Sequence, residues 1–342
     1  MIRVVCTAPL VAAAGAFLRD ELGWTIEELP RIVPDPAVAV VIVEAEPLGV
    51  EQLDGLPELR LIVSVRGEPV NVDLDEATRR GIPVVHAPGR NAESVAEFTI
   101  GVMIALLRHV VVAHELVRGR VLTEARAERV RDRRDVIWRP RDPAAIVPYL
   151  AFKGPGLRST VLGLVGLGAV GLRVAALAHT LGMTVIAHDP FVTAAPTTVE
   201  LTSLADLLRR CRVLSLHART SGGPLIGAAE LALLAPEAVL INTARASVLD
   251  YDALVDALRV GRLAGAALDV YPDEPLRPDD PLLDIANVIL TPHIAGACDD
   301  VVDQQWRIVT AALRALLIDG RPTDAPVRNP QALAGFAGVR RP

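Results

Sequence analysis

The sequence predicts an α/β protein with two doubly wound parallel sheets. Short runs rich in Val, Ile, Leu and Ala recur along the chain, and helical stretches separate many of them. Helices between strands favour parallel pairing, because consecutive parallel strands need a crossover connection. The composition agrees, since 51% of the 342 residues are hydrophobic and only 3% are aromatic. Aliphatic side chains suit buried parallel strands, and the length is sufficient for two domains.

The first hundred residues contain the elements of the first sheet. Helices are expected at 12–22 and 73–80, and a long apolar helix is expected from about residue 91 to about residue 116. A stretch rich in Pro and Arg then interrupts the pattern at 139–156. The strands predicted before it are 2–7, 38–43, 61–65 and 83–86.

The alternation starts again after this stretch and predicts the second sheet. A helix is expected at 169–181, and another at about 299–319 follows the last strand. Six strands with helices between several of them are the content of a full doubly wound nucleotide-binding domain. These predicted strands are 160–166, 184–189, 213–217, 238–243, 265–270 and 288–291.

A glycine-rich turn follows the first strand of this second sheet. Gly166, Gly168 and Gly171 form the pattern G-x-G-x-x-G before a predicted helix, and Asp189 ends the next strand about 20 residues later. The first glycine permits a tight turn, the second lets a pyrophosphate approach the backbone, and the third lets the helix pack closely. Asp189 can bind ribose hydroxyls and would repel a 2′-phosphate, so the pattern favours NAD over NADP. A glycine turn that packs a helix without any ligand is the alternative.

Three charged residues follow later predicted strands. They are Arg245 in I-N-T-A-R, Glu274 in L-D-V-Y-P-D-E-P and His293 in L-T-P-H-I-A-G. Ligands of doubly wound sheets bind outside the carboxyl ends of the strands, so we expect these residues at one edge. A guanidinium can bind a carboxylate bidentately, and an imidazole can exchange a proton with a carbonyl oxygen. A carboxylate beside the imidazole would favour its charged form and orient the ring. Each residue alone also suits an ordinary surface or loop position.

The four motifs, in this order and spacing, resemble those of the D-isomer-specific 2-hydroxyacid dehydrogenases. The resemblance covers about residues 36–320. It implies a Rossmann NAD-binding domain at 105–295 and a smaller flavodoxin-like substrate domain at 1–104 and 296–330. A loose tail is expected at 331–342.

The resemblance implies hydride transfer between NAD(H) and a small D-2-hydroxy or 2-keto acid. Arg245, Glu274 and His293 are then the catalytic residues, and Arg245 also binds substrate. His217 is expected to line the cofactor rather than to donate a proton. A phosphite or formate-type dehydrogenase and an NAD(H)-sensing corepressor are the alternatives. The implied cofactor-binding residues are Gly166, Gly168, Ala169, Val170, Gly171, Asp189, His217, Thr243, Ala244 and Asp269.

One departure from the family pattern bears on the substrate. Where the family usually has G-x-G-x-D-N-V-D, residues 64–73 read S-V-R-G-E-P-V-N-V-D. Val65, Arg66 and Gly67 can still present backbone amides to a carboxylate, and the Arg66 side chain adds a cation. We therefore expect a substrate with a second anionic or strongly polar group, such as a phosphate or sugar-acid hydroxyls. Pairing of Arg66 with Glu68 or another acid is the alternative, and Arg90 is a weaker second candidate.

Charge, hydropathy and cysteine content argue against several kinds of partner and site. The net charge of -6 argues against a nucleic-acid partner, and no apolar run reaches the roughly 18–20 residues of a membrane-spanning helix. Cys6, Cys211 and Cys298 have no metal-site or disulfide spacing, which favours reduced, buried thiols in a cytoplasmic protein without a metal. The nine arginines of 118–141 alternate with acids and predict a solvated, salt-bridged arm. The resemblance implies that this arm takes part in a homodimer.

Overall fold

The computed structural model describes residues 2–123 and 146–339, which form two compact units. One unit comprises the described residues up to Ala92 and from Ala297 onward, and the other runs from Glu93 to Gly296. The greater part of the arginine-rich arm predicted at 118–141 lies outside the described residues.

Strands and helices alternate along both units. The strands are β1 (Ile2–Cys6), β2 (Trp24–Glu28), β3 (Val38–Val43), β4 (Leu61–Ser64), β5 (Val84–Val85), β6 (Val161–Val165), β7 (Thr184–His188), β8 (Val199–Leu201), β9 (Val213–Leu216), β10 (Val239–Asn242), β11 (Gly265–Leu268) and β12 (Val288–Leu290). The α-helices are α1 (Ala12–Ala16), α2 (Val50–Asp54), α3 (Leu74–Arg79), α4 (Ala92–Leu107), α5 (Val110–Arg118), α6 (Pro148–Ala151), α7 (Ala169–Thr180), α8 (Leu204–Arg210), α9 (Ala228–Leu231), α10 (Tyr251–Arg259) and α11 (Val301–Leu313).

The first unit contains a five-stranded sheet in the order β2-β1-β3-β4-β5. All of its strand pairs are parallel. Successive residues of β1 enter cores on opposite faces, where Val4 shares a core with Trp306 of α11 and Val5 shares one with Leu53 of α2. The order is that of flavodoxin-like domains, so this part of the fold prediction is confirmed.

The second unit contains a seven-stranded parallel sheet in the order β12-β11-β10-β9-β6-β7-β8. The chain moves outward from β6 through β7 to β8 and then returns to β9 on the other side of β6. Leu164 packs in one core with Met103 of α4, and Leu216 packs in the opposite core with Leu207 of α8. This is the Rossmann arrangement with one additional strand, and its topological switch point lies between β6 and β9.

Two strands, β2 and β8, were not predicted. Each lies at the end of its sheet and pairs on one side only. The sequence of β2 is WTIEE, and β8 has only three residues. Edge strands are partly solvated and do not need the continuous apolar run by which the central strands are recognised.

The long helix predicted to reach about residue 116 is instead two helices, α4 and α5, which meet at 64°. His109 lies between them with a left-handed φ of 52°, which interrupts the helical path. Helix α4 packs in the core of the second sheet through Ala96, Met103 and Leu106. The boundary between the units therefore lies between Ala92 and Glu93, and not after residue 104. Within the described ranges, no single helix is long and apolar enough to cross a membrane, and the bent pair α4–α5 passes that test by length and composition alone.

The tail differs from the loose segment expected at 331–342. A 3₁₀ turn spans Pro330–Gly335, and the side chains of Ala332 and Val339 are buried. The indole Nε1 of Trp24 donates to the carbonyl oxygen of Val339 over 3.1 Å. As far as it is described, the tail therefore packs on the first unit.

The cysteines only partly match the expectation of buried thiols. All three are free, but Cys298 is exposed while Cys6 and Cys211 are buried. Burial raises the pKa of Cys6 to about 11 and that of Cys211 to about 12.

Candidate active site

Five strands of the second sheet end in register along one edge. The last residues of β6, β9, β10, β11 and β12 are pairing partners across the sheet. The residue that follows each strand therefore lies at the same carboxyl edge. These residues are Gly166, His217, Thr243, Asp269 and Thr291, so the register brings the separate sequence motifs together.

The glycine-rich turn has the geometry that a pyrophosphate site requires. Gly166 has a φ of 95°, and a Cβ atom there would lie 2.7 Å from the carbonyl of His217. A Cβ atom on Gly171 would lie 2.3 Å from the carbonyl oxygen of Gly166. Gly168 is the N-cap of α7, and a Cβ atom there would meet nothing within 4 Å. The helix N-terminus thus faces open space without a side chain in front of it, which fits the diphosphate of NAD.

Asp189 connects the end of β7 to this turn. Its carboxylate accepts the N–H of Leu167 over 2.8 Å and the N–H of Phe191 over 2.9 Å. A carboxylate has about four acceptor positions, so two backbone bonds leave capacity for ribose hydroxyls. Asp189 therefore lies against the glycine-rich turn with part of its acceptor capacity unused.

His217 is neutral at physiological pH. Burial lowers its pKa to about 4, and Nε2 lies 2.9 Å from the Ser215 hydroxyl. Its buried Nδ1 has no partner within the described residues. A buried neutral ring is not a proton donor, and the His217 backbone carbonyl lies against the Gly166 turn.

Asn242 holds the loop that carries Arg245. Its buried side chain accepts the N–H of Ala244 over 3.0 Å and donates to the carbonyl oxygen of Arg245 over 2.9 Å. The Arg245 guanidinium is exposed and donates to the carbonyl oxygen of Ala244 over 2.6 Å. This positioning role of Asn242 was not predicted from the sequence. The available signal was its place at the end of a predicted strand, directly before T-A-R.

Asp269 holds the loop that carries His293. Its carboxylate is 1% exposed and accepts the Thr291 hydroxyl over 2.6 Å. It also accepts the N–H of Ile294 over 2.9 Å and the N–H of Ala295 over 2.8 Å. Between these contacts His293 has a left-handed φ of 56°, which a non-glycine residue adopts only when its surroundings enforce it. Asp269 was expected to bind the cofactor, and the structure adds that its carboxylate organises the histidine loop.

Glu274 and His293 form a direct pair. The Nδ1 atom of His293 lies 2.8 Å from Oε2 of Glu274, and Oε1 of Glu274 accepts the N–H of Tyr271 over 3.0 Å. Burial raises the pKa of Glu274. The hydrogen bonds from His293 and Tyr271 and the nearby charge of Arg245 outweigh this effect, so the pKa lies below the ordinary 4.5. The three charged residues are therefore neighbours at this edge, as the sequence predicted.

An ionised Glu274 determines the tautomer of the imidazole. A carboxylate can only accept, so Nδ1 of His293 carries the proton that it donates to Glu274. No described residue bonds to Nε2, which is therefore the nitrogen able to gain or lose a proton toward another molecule.

The predicted substrate loop lies in the first unit, at the carboxyl end of β4. The N–H of Val65 donates to the carbonyl oxygen of Val43 over 2.9 Å, so Val65 has no amide for a ligand. The N–H of Arg66 makes only a long 3.4 Å contact with the Ser64 hydroxyl, and the N–H of Gly67 has no partner within the described chain. The expectation of a Val65 amide donor was wrong because the strand continues one residue further, and Arg66 and Gly67 remain as donors.

Pairing in the first unit distinguishes the two candidate arginines. Arg90 donates to Glu44 over 2.7 Å and also to Gln305, so its charge is already neutralised. Glu68 pairs with Arg328 over 2.8 Å. No ion pair within the described ranges involves Arg66.

Comparison with known proteins places these motifs in one family. Residues 100–295 match the NAD-binding domain of the D-isomer specific 2-hydroxyacid dehydrogenases. A glyoxylate reductase of Thermofilum pendens is 34% identical over 298 residues, which are 85% of this chain and 80% of that protein. The chain belongs to the D-isomer specific 2-hydroxyacid dehydrogenase family. It is therefore an NAD-dependent oxidoreductase acting on 2-hydroxy or 2-keto acids.

Two further proteins are similar to most of this chain. A D-3-phosphoglycerate dehydrogenase of Archaeoglobus fulgidus is 35% identical over 290 residues, which are 83% of this chain and 50% of that protein. The TT0316 protein of Thermus thermophilus has a solved structure that is 30% identical with a TM-score of 0.72, covering 95% of this chain and 99% of that one.

Proposed function

We propose that Arg245, Glu274 and His293 catalyse reversible hydride transfer between NAD(H) and a small D-2-hydroxy or 2-keto acid. The single observation that carries this assignment is the 2.8 Å contact from Nδ1 of His293 to Glu274, with the Arg245 charge close enough to lower the pKa of that carboxyl. A guanidinium, an ionised carboxylate and an imidazole with one open nitrogen are the groups that this chemistry needs.

Each residue has a distinct role in this proposal. Arg245 binds the substrate carboxylate and polarises the adjacent carbonyl. Nε2 of His293 gives a proton to the carbonyl oxygen during reduction and takes it from the hydroxyl during oxidation. Glu274 keeps the other ring nitrogen protonated and orients the ring. NAD(H) supplies or accepts the hydride when it is bound.

The proposed cofactor contacts follow the carboxyl edge of the second sheet. The N–H groups at the start of α7, including those of Ala169 and Val170, would bind the diphosphate. Asp189 would bind the adenosine ribose and disfavour a 2′-phosphate, which supports NAD over NADP. The other residues proposed to line the cofactor are Gly166, Gly168, Gly171, His217, Thr243, Ala244 and Asp269.

We further propose that the substrate has a second anionic or strongly polar group that Arg66 binds. The absence of an ion pair to Arg66 within the described ranges supports this, as do the N–H groups of Arg66 and Gly67 at the same strand end. Arg90 is excluded from this role by its contacts with Glu44 and Gln305.

A substrate panel tests these proposals. NADH oxidation is followed by absorbance with glyoxylate, pyruvate, hydroxypyruvate and its 3-phosphate, and NAD reduction with glycerate, sugar acids, phosphite and formate. We expect turnover of at least one 2-keto acid and its loss in His293→Asn. Turnover of phosphite or formate alone, or binding of NADH without turnover of any acid, would contradict the proposed reaction.

The Arg66 proposal has its own matched comparison. Arg66→Ala should raise KM for phosphorylated or polyhydroxylated acids about 10-fold or more, because a charge-assisted hydrogen bond is lost, and should leave KM for pyruvate unchanged. Arg60→Ala, at the opposite end of β4, is the control and should change neither value. Equal increases in KM for pyruvate and for the phosphorylated or polyhydroxylated acids would show that Arg66 does not bind a second group of the substrate.

We also propose a cytoplasmic homodimer. The family resemblance supports the dimer, and so do exposed apolar side chains on and near α5 and α6. These include Val117 at 48%, Val121 at 62%, Tyr149 at 83% and Leu150 at 69% exposure. Free cysteines support the cytoplasm. A monomer by light scattering at micromolar concentration would refute the dimer.

A further inference from the structure

Two buried threonine hydroxyls meet between α4 and the end of β10. Oγ1 of Thr99 and Oγ1 of Thr243 are 2.9 Å apart, and the two residues are 1% and 8% exposed. The core around them is apolar and includes Ala96, Ile100 and Ile241. Two valines would fill a similar volume, and replacing both partners of a buried hydrogen bond by apolar groups can be nearly neutral. Stability alone therefore does not account for this pair.

The second contact of Thr99 determines which hydroxyl donates. Thr99 Oγ1 lies 2.7 Å from the carbonyl oxygen of Val95, one helical turn earlier, and a carbonyl can only accept. A hydroxyl has one proton, so Thr99 donates to Val95 and must accept from Thr243. The proton of Thr243 is thereby committed to Thr99. Toward any other group, Thr243 Oγ1 can then only accept a hydrogen bond, through its lone pairs.

Thr243 lies where the direction of its hydroxyl hydrogen bond would affect cofactor binding. It follows β10 directly, in the row with His217 and Asp269, and is two residues before Arg245. The row continues across the switch point from the glycine-rich turn at the end of β6. A dinucleotide whose adenosine half lies near Asp189 would extend its nicotinamide half along this side of the edge.

We propose that Thr99 is a positioning residue that makes Thr243 an obligate hydrogen-bond acceptor for an N–H or O–H donor of the nicotinamide half of NAD(H). The inference rests on the proposed function, in which Thr243 contacts the cofactor. Thr99 itself touches no ligand and acts through the direction of the Thr243 hydroxyl. Without Thr99 the Thr243 proton would be free to turn toward the cofactor and oppose its donor.

NADH affinity and thermal stability of a small set of variants test this inference. Thr99→Val should weaken NADH binding about three- to ten-fold in a fluorescence titration, the range of one net hydrogen bond. Thr99→Ser keeps the hydroxyl and should restore affinity. The double variant Thr99→Val/Thr243→Val should bind no more weakly than Thr243→Val alone, because the two hydroxyls act as one unit.

The matched control is Thr180→Val. Thr180 is also a helical threonine whose Oγ1 donates to a carbonyl one turn earlier, that of Ala176 over 3.0 Å, but it is exposed at the end of α7. This variant should retain wild-type NADH affinity. Should Thr99→Val not fold, Thr99→Ala removes the same hydroxyl without adding volume and takes its place.

The outcomes separate this inference from the proposed function. Wild-type affinity in Thr243→Val would mean that the Thr243 hydroxyl does not contact the cofactor. The proposed cofactor contact of Thr243 and the inference about Thr99 would then both be wrong. Weaker NADH binding in Thr243→Val with wild-type binding in Thr99→Val would overturn the role of Thr99. The proposed cofactor contact of Thr243 would still hold. Losses that add in the double variant, or a lower Tm without a change in affinity, would also overturn it.

Discussion

Alanine substitutions at Gly168 and Gly171 should have opposite consequences, although both glycines belong to one motif. At Gly171 the added Cβ would lie 2.3 Å from the carbonyl oxygen of Gly166. Gly166 has little freedom to move, because its N–H donates to the carbonyl of His188 over 2.9 Å and its φ is already 95°. Overpacking of this kind costs about 1–3 kcal/mol. We expect Gly171→Ala to lower Tm by roughly 3–10 °C.

At Gly168 the added methyl would meet no protein atom within 4 Å, and the backbone, with φ -77° and ψ -161°, is one that alanine adopts readily. Alanine is a poorer N-cap than glycine, so the stability cost is about 0.5–1 kcal/mol. The methyl would, however, occupy the space through which a diphosphate approaches the N–H groups of α7. Losing one charge-assisted hydrogen bond costs about 1.5–3 kcal/mol, or roughly 10- to 100-fold in Kd for NADH.

Thermal unfolding without cofactor and fluorescence titration with NADH measure the two effects separately. Gly156→Ala is the control, because Gly156 also precedes a helical turn and has nothing within 4 Å of its Cβ position. It should leave the affinity for NADH unchanged and should lower Tm by no more than Gly168→Ala does, because both glycines are N-caps. Wild-type affinity for NADH in Gly168→Ala would refute the assignment of the α7 N-terminus as the diphosphate site. A Tm loss in Gly168→Ala as large as in Gly171→Ala would refute the steric distinction.

Two further predictions concern the charged residues of the site. Asp269→Asn should lower kcat about 10-fold or more, because asparagine offers one acceptor oxygen to a loop that makes three bonds to the carboxylate. An unchanged kcat in stopped-flow experiments would contradict this role of the carboxylate in holding the His293 loop. Glu274 has a lowered pKa in the folded protein, so its charge stabilises the fold above the unfolded value near 4.5 and this contribution is lost as pH falls through the folded pKa. Urea unfolding should therefore find Glu274→Gln less stable than wild type at pH 7, by at most about 1 kcal/mol because the pair is exposed. The difference should shrink as pH falls below 4.5 and disappear once the carboxyl is protonated in the folded protein. A difference of constant size over this pH range would contradict the ionic explanation.

The central strands and the edge at which the motifs meet were predictable from the sequence. Buried parallel strands have continuous aliphatic runs, and each run was followed by a residue type with specific chemistry, as at Arg245 and His293. Because parallel strands place their carboxyl ends together, these local observations determined a shared edge without any long-range information. The observed register and the Glu274–His293 contact agree with that reasoning.

Features that depend on contacts between distant segments were not predictable. The left-handed φ of His109 divides one apolar pattern into two helices, and helical periodicity alone does not reveal such a break. The bond from the N–H of Val65 to the carbonyl oxygen of Val43, which removes Val65 as a ligand donor, depends on strand pairing that local sequence does not show. The bonds from Asp269 to residues 22–26 positions later in the chain likewise have no signal in local sequence.

The site combines exposed catalytic side chains with buried polar residues that fix their backbones. The His293 and Glu274 side chains are 51% and 37% exposed, so packing does little to restrain them. Asn242 and Asp269 are each 1% exposed, and each binds the loop that follows a strand of the same sheet. An apolar residue at either position would fill the core equally well but would leave the loop N–H groups without acceptors. The buried amide and carboxylate therefore position the reactive groups, and the exposed side chains stay accessible to substrate.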